Sequence, residues 1–183
     1  MGRKIVIISG SPSKESRFVG VLRAAAEALE RKGAQVGWVH VCDLPADDLL
    51  AARFHSASIR EAIGLVEEAD AVILGSQVYK ASFTGVLKTF LDALPQNALS
   101  GKPVLPLMMG GTIAHLLVID YALKPVLSAL GATRQLSGVY AVEHLVARLE
   151  NGDFKLADEL AVRLQAAIDQ LWSAVGSGCS YLV

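Results

Sequence analysis
Ser9, Ser11, Ser13 and Ser16 crowd one short stretch, SGSPSKES, directly after the apolar run KIVII. Hydroxyls both donate and accept, and the first N–H groups of a helix lack partners inside it. A serine-rich turn leading from a strand into a helix can therefore wrap a small anion. The glycine spacing of the known phosphate loops is missing: neither G-x-x-x-x-G-K-[ST] nor G-x-G-x-x-G occurs, and Gly10 is the sole glycine between Ile5 and Arg17. Such a site suits a terminal phosphate monoester better than a pyrophosphate, which needs close glycine backbone. Without a ligand, the same residues read as an N-cap at Ser16 behind a plain turn.

Two further stretches could face a ligand. In SQVYKASFTG, Ser76 to Gly85, backbone amides and Tyr79 can lie beside a flat heteroaromatic ring. In MMGGTIAHL, Met108 to Leu116, the adjacent Gly110 and Gly111 allow a backbone turn against a ligand edge, and Thr112 adds a hydroxyl or caps the next helix. His115 reads as a helix-start or interface residue, because no carboxylate stands near it in sequence to orient a catalytic imidazole. No Ser-His-Asp arrangement and no metal-ligand spacing is visible. Cys42 and Cys179 are far apart and are expected to be free thiols in a cytoplasmic protein.

The elements that must position these loops alternate. KIVIIS, QVGWVHV, AVILGS, PVLPLMM and QLSGVYA read as strands, separated by helical patterns in RFVGVLRAAAEALERKG, SIREAIGLVEEAD, TGVLKTFLDAL and AHLLVIDYALKPVLSAL. After the turn ENGD, KLADELAVRLQAAIDQLWSAV reads as a long amphipathic final helix. Apolar strands alternating with helices imply a doubly wound α/β domain: a five-stranded parallel sheet covered on both faces. The flavodoxin-like order 2-1-3-4-5 fits, with the ligand site beyond the C-terminal strand ends between strands one and three. At 183 residues and 52% hydrophobic, the chain is expected to form one domain over 1–175, followed by a loose tail, 176–183. A net charge of −1 with no basic run disfavours nucleic acid. The longest apolar stretch, Val104 to Ile119, is broken by GGT, which disfavours a membrane span.

Three segments carry a family resemblance: GSPSKES, VYKASFTGVLKTFLDALP and LPLMMGGTIAHLLVIDYALKPVLSALGA. From about Lys4 to Val139 the chain resembles the NAD(P)H-dependent FMN reductases of two-component alkanesulfonate monooxygenase systems. The resemblance implies a flavodoxin-like enzyme that reduces FMN with NADPH by hydride transfer directly between cofactors, without a catalytic side chain. Reduced flavin would pass to a separate flavin-dependent sulfonate monooxygenase. It assigns Ser11, Ser13, Ser16 and Arg17 to the FMN phosphate, and Gln77, Val78, Tyr79, Lys80, Gly110, Gly111 and Thr112 to the isoalloxazine ring. Gln77 stands where the family usually has proline and Ser13 where relatives often have arginine, which leaves Lys14 or Arg17 as sources of positive charge.

Pro125 offers no N–H to the carbonyl of Tyr121 and its ring clashes there, so the fourth helix must kink or widen into a π-bulge. The resemblance adds that related reductases carry a tyrosine insertion forming a π-helix at the subunit interface near the flavin. Tyr121, His115 and Pro125 are accordingly expected at a homo-oligomer interface, a tetramer by resemblance, that keeps flavin exchangeable. An electron-carrying flavodoxin shares the fold, but such carriers are strongly acidic and this chain is near neutral. A quinone or azo-dye reductase using bound FMN is the alternative within the same enzyme class.

Overall fold
A computed structural model describes residues 2–176, and the tail expected at 176–183 lies outside them except for Gly176. The chain runs β1 (Lys4–Ser9), α1 (Arg17–Glu30), β2 (Gln35–His40), α2 (Ala46–Leu50), α3 (Ala57–Glu68), β3 (Ala71–Tyr79) and β4 (Ser82–Phe83). It continues through α4 (Gly85–Leu91), β5 (Pro103–Gly110), α5 (Lys124–Ala129), β6 (Arg134–Gln135) and β7 (Val139–Val142). A hairpin of β8 (Val146–Arg148) and β9 (Phe154–Leu156) precedes the last helix, α6 (Asp158–Gly176).

The main sheet is parallel in the order β2-β1-β3-β5, with β6 and then β7 along the far side of β5. This is the expected 2-1-3-4-5 order. Successive side chains of a strand point to opposite faces, so each central strand feeds two cores. Val6, Ile8, Val72, Leu74 and Val104 pack with Ile59, Val66, Leu87, Phe90 and Leu127 from α3, α4 and α5. Ile5, Ile7, Ile73, Leu105 and Leu107 pack with Phe18, Leu22, Leu29, Leu164 and Ile168 from α1 and α6. Full burial of each such side chain stabilises the fold by about 1.5–3 kcal/mol, which holds the strand ends that carry the loops. Among the described residues no helix is long and apolar enough to cross a membrane.

Four features differ from the sequence reading. The fifth strand is split: Val104 pairs with Gln135 but Leu107 pairs with Val139, so one extra residue bulges between β6 and β7. Pro106 lies opposite that bulge and has no N–H for the ladder, which is the physical reason pairing breaks there. The second loop is shorter than expected, because β3 runs on to Tyr79 and turns tightly into β4. The fourth helix starts later than expected, because a 3₁₀ turn occupies Ile113–His115; it then carries the expected wide turn, a π-helix at Ile119–Leu123, before α5. Finally, the turn at ENGD joins two strands, so Phe154–Leu156 is β9 and the last helix begins at Asp158 rather than Lys155.

Candidate functional site
The loop after β1 is organised around Ser11, whose side chain is almost fully buried. Its Oγ donates to the Ser13 carbonyl at 2.7 Å, accepts from Gln77 Nε2 at 3.0 Å and lies 2.9 Å from Ser16 Oγ. Ser16 is the N-cap of α1, accepting from the Val19 N–H at 3.3 Å, while Ser13 Oγ accepts from the Glu15 N–H at 3.2 Å. The serines thus form a turn and a cap, and the first N–H groups of α1, at Arg17 and Phe18, have no acceptor within the helix.

Cross-links fix this loop against its neighbours. Thr84 is buried; its Oγ1 donates to the Gly10 carbonyl at 2.6 Å and caps α4 by accepting from the Leu87 N–H at 3.1 Å. Ser76 Oγ accepts from the Thr84 N–H at 2.9 Å. The turn between β3 and β4 places Lys80 (φ +51°) and Ala81 (φ +63°) in the left-handed region, where L-residues are strained. A two-residue hairpin with both central φ angles positive normally recruits Asn or Gly, so this tip carries a cost that its position beside the site makes notable.

The third loop is held from below. Tyr140, on β7, is buried and donates its hydroxyl to the Thr112 carbonyl at 2.7 Å. A Cβ on residue 110 would collide with that hydroxyl, so only glycine lets the loop pass this close. Burial pushes the Tyr140 phenol up from its ordinary value, keeping it a donor. Thr112 caps the 3₁₀ turn, its Oγ1 accepting from the Ala114 N–H at 3.3 Å.

Ser16, Arg17, Gln77, Val78, Tyr79, Gly110 and Gly111 converge on one cavity of about 350 Å³ at the C-terminal ends of β1, β3 and β5. Val78, Lys80, Gly111, Thr112 and His115 line a second, adjoining opening of about 470 Å³. Ser11 and Ser13 line neither cavity: Ser11 is buried within the loop and Ser13 is exposed on it. Tyr121 and Pro125 line neither cavity; Tyr121 stands 79% exposed on the outside of the π-helix. Lys14, an expected source of charge, turns away to Asp43 at 2.8 Å, whereas Arg17 stays at the cavity and pairs with Glu143 at 2.8 Å. Gln77 Oε1 is buried with no hydrogen-bond partner among the described residues, an acceptor left for a ligand N–H or O–H.

Glu143, Arg148 and Phe154 also line the first cavity and were missed by the sequence reading. Arg148 and Phe154 face each other across the hairpin, with the guanidinium 5.6 Å from the ring centroid. Asn-Gly flanked by apolar residues, LENGDF, is the hairpin signal that could have found them. The hairpin docks on α1 at Gly20, where a Cβ would lie 2.5 Å from Phe154 Cβ. Among the described residues no group of three or more His, Cys, Asp or Glu could hold a metal ion.

The comparisons agree with this architecture. The chain is 49% identical over 146 residues to an NADPH FMN reductase of Pseudomonas putida, covering 80% of this chain and 74% of that one. It is 41% identical over 172 residues to an NADPH FMN reductase of Escherichia coli, covering 94% and 90%. The apo crystal structure of an NADH:FMN oxidoreductase, EMOB, superposes with a TM-score of 0.82 at 38% identity, covering 97% and 91%. A family model described as NADPH-dependent FMN reductase matches residues 3–146, and with it the β1, β3 and β5 loops that build the cavity: the chain belongs to the NADPH-dependent FMN reductase family.

Proposed function
We propose that this protein reduces FMN with NADPH in the cytoplasm and releases the reduced flavin to a separate sulfonate monooxygenase. The observation that carries the reading is the convergence of the Ser16 cap, Arg17, Tyr79 and the Gly110–Gly111 turn on one cavity. The residues present fit FMN. Ser16 and the first amides of α1, with Arg17, suit a phosphate monoester. The buried acceptor of Gln77 suits a ring N–H, and the glycine turn and Tyr79 offer flat walls for an aromatic system. When bound, FMN supplies the two-electron acceptor for the nicotinamide hydride. The chain's own part is to hold the flavin phosphate at α1, to orient the ring against the Gly110–Gly111 backbone and to leave one side open through the neighbouring cavity. The hydride passes directly between the two cofactors, so no proton transfer is asked of a side chain, and His115 stands exposed at the second cavity.

The reading includes a homo-oligomer, a tetramer by resemblance, assembled through the segment that carries His115, Tyr121 and Pro125. Supporting it, Ile113, Leu116, Leu117 and Tyr121 are 60%, 46%, 58% and 79% exposed on adjoining turns. The test is steady-state oxidation of NADPH and NADH with FMN, FAD and riboflavin. Rapid turnover with free FMN, faster with NADPH, and transfer of reduced flavin to an added sulfonate monooxygenase are expected. Turnover only with a quinone or azo dye, the FMN remaining bound, would replace this reading by the alternative.

A further inference from the structure
The phosphate loop carries Ser13 and a Lys14 that is engaged elsewhere, so the loop itself presents little positive charge to the cavity. The opposite wall does. The β8–β9 hairpin brings Arg148 to the same cavity, beside Phe154, with its guanidinium 3.9 Å from the Glu15 carboxylate of the phosphate loop. Across the opening, Arg17 holds Glu143 at 2.8 Å. Two cations and two carboxylates from opposite walls thus meet over the mouth, and all four side chains are about half exposed or more.

We propose that Arg148 is a specificity-determining residue for a phosphate monoester, and that Glu15 and Glu143 are internal anions which the phosphate displaces. The inference rests on the functional reading above. Exposed ion pairs contribute little to stability, so Arg148 can leave Glu15 easily. A phosphate dianion offers the guanidinium more acceptor oxygens and more charge than one carboxylate. Phe154 keeps the guanidinium over its ring while the partner changes, since the aromatic face and the in-plane N–H groups serve different neighbours. The competing carboxylates have a function in this scheme: they hold the affinity down, as a site that must release its flavin requires. The hairpin that supplies Arg148 is docked by the close approach of Phe154 to Gly20, so the cation is placed by backbone architecture rather than by a flexible tail.

The dianion has two possible sources, the 5′-phosphate of FMN and the 2′-phosphate of NADPH. Flavin fluorescence quenching with FMN and riboflavin, and KM values for NADPH and NADH, separate them in the parent protein, Arg148→Gln, Arg148→Lys and Glu15→Gln. If FMN is the source, Arg148→Gln weakens FMN by about tenfold, roughly the weight of one charge-assisted hydrogen bond, with riboflavin unchanged. If NADPH is the source, the NADPH KM rises by a similar factor with NADH unchanged. Arg148→Lys recovers part of either effect, and Glu15→Gln moves the same ligand in the opposite direction, tightening it. Equal shifts for both members of each pair, or none, overturn the proposal, as does tightening absent in Glu15→Gln. A parent that binds and reduces FMN while Arg148→Gln matches it fails this inference alone, whereas a parent that binds no flavin fails the functional reading with it.

Discussion
Ser16 caps α1 and, in the proposed reading, would also hold the ligand phosphate. Its Oγ already accepts from the Val19 N–H and touches Ser11 Oγ, so the hydroxyl is oriented before any ligand arrives. Ser16→Ala removes the cap, lowering stability by about 1 kcal/mol, and, on the proposed phosphate assignment, also removes a hydrogen bond to a charged group worth roughly 1.5–3 kcal/mol. FMN binding should therefore fall at least tenfold by fluorescence titration while riboflavin binding is nearly unchanged; equal losses would remove the phosphate assignment. His40 gives a pH prediction of a different kind. It stacks on Trp38 with ring centroids 4.9 Å apart, and its Nδ1 is buried without a hydrogen-bond partner among the described residues. Burial lowers its pKa below the ordinary 6.5, opposed by nearby Asp43 and assisted by Lys14 and Arg23. A folded value below the unfolded one means that its contribution is present above pH 6.5 and is lost as pH falls through the folded value. Between pH 7 and 5, the thermal midpoint of the parent should thus drop more than that of His40→Gln. Parallel profiles would show that His40 does not carry this acid sensitivity.

At the scale of elements, what could be read from sequence and what could not divides along physical lines. The strands β1, β3 and β5 are buried on both faces, so their apolar runs stand out and their order follows from the helices between them. The Pro106 bulge and the β8–β9 hairpin depend on single residues that composition averages away. ENGD was legible as a turn, but Phe154 was left outside any element, and Lys155 and Leu156 were read into the helix that follows because Lys155, Leu156 and Ala157 also satisfy a helical pattern. That misreading hid Arg148 and Phe154 from the site. The π-helix, by contrast, was legible because Pro125 constrains a fixed position four residues back. The Lys124 N–H donates to the Ile119 carbonyl five residues earlier, and Pro125 falls in the first turn of α5, where a missing N–H costs nothing. The extra residue is absorbed while Ile119 and Leu123 stay buried and Tyr121 is turned outward. Deleting Tyr121 should restore a regular helix through this segment, and the variant is expected to purify yellow and to transfer reduced flavin poorly. A deletion variant that folds, purifies colourless and turns over free FMN at the parent rate would remove Tyr121 from flavin exchange.

At the scale of the whole molecule, the described residues include an apolar surface that the fold does not cover. Both sheet faces are sealed by helices, yet the connection from β5 to α5 presents Ile113, Leu116, Leu117 and Tyr121 outward in succession. A contiguous apolar patch of this kind on a chain with a net charge of only −1 promotes association, since little charge repulsion keeps copies apart. The patch adjoins His115 and Thr112, which line the open cavity on the ring side of the site, so a second copy seated there would wall off the ligand as well as the apolar side chains. Assembly and flavin handling would then be coupled through one segment. Leu117→Asp places a charge at the centre of the patch without touching the phosphate loop, the Gly110–Gly111 turn or the sheet. Sedimentation velocity at micromolar concentration should show the parent as an oligomer and Leu117→Asp as a monomer with an unchanged circular dichroism spectrum. Because the ring side would open to water, the FMN Kd of the monomer should rise severalfold, and the change should be shared by riboflavin, which presents the same ring. A parent that sediments only as a monomer, or a monomeric Leu117→Asp that binds both flavins as the parent does, would separate the patch from the site.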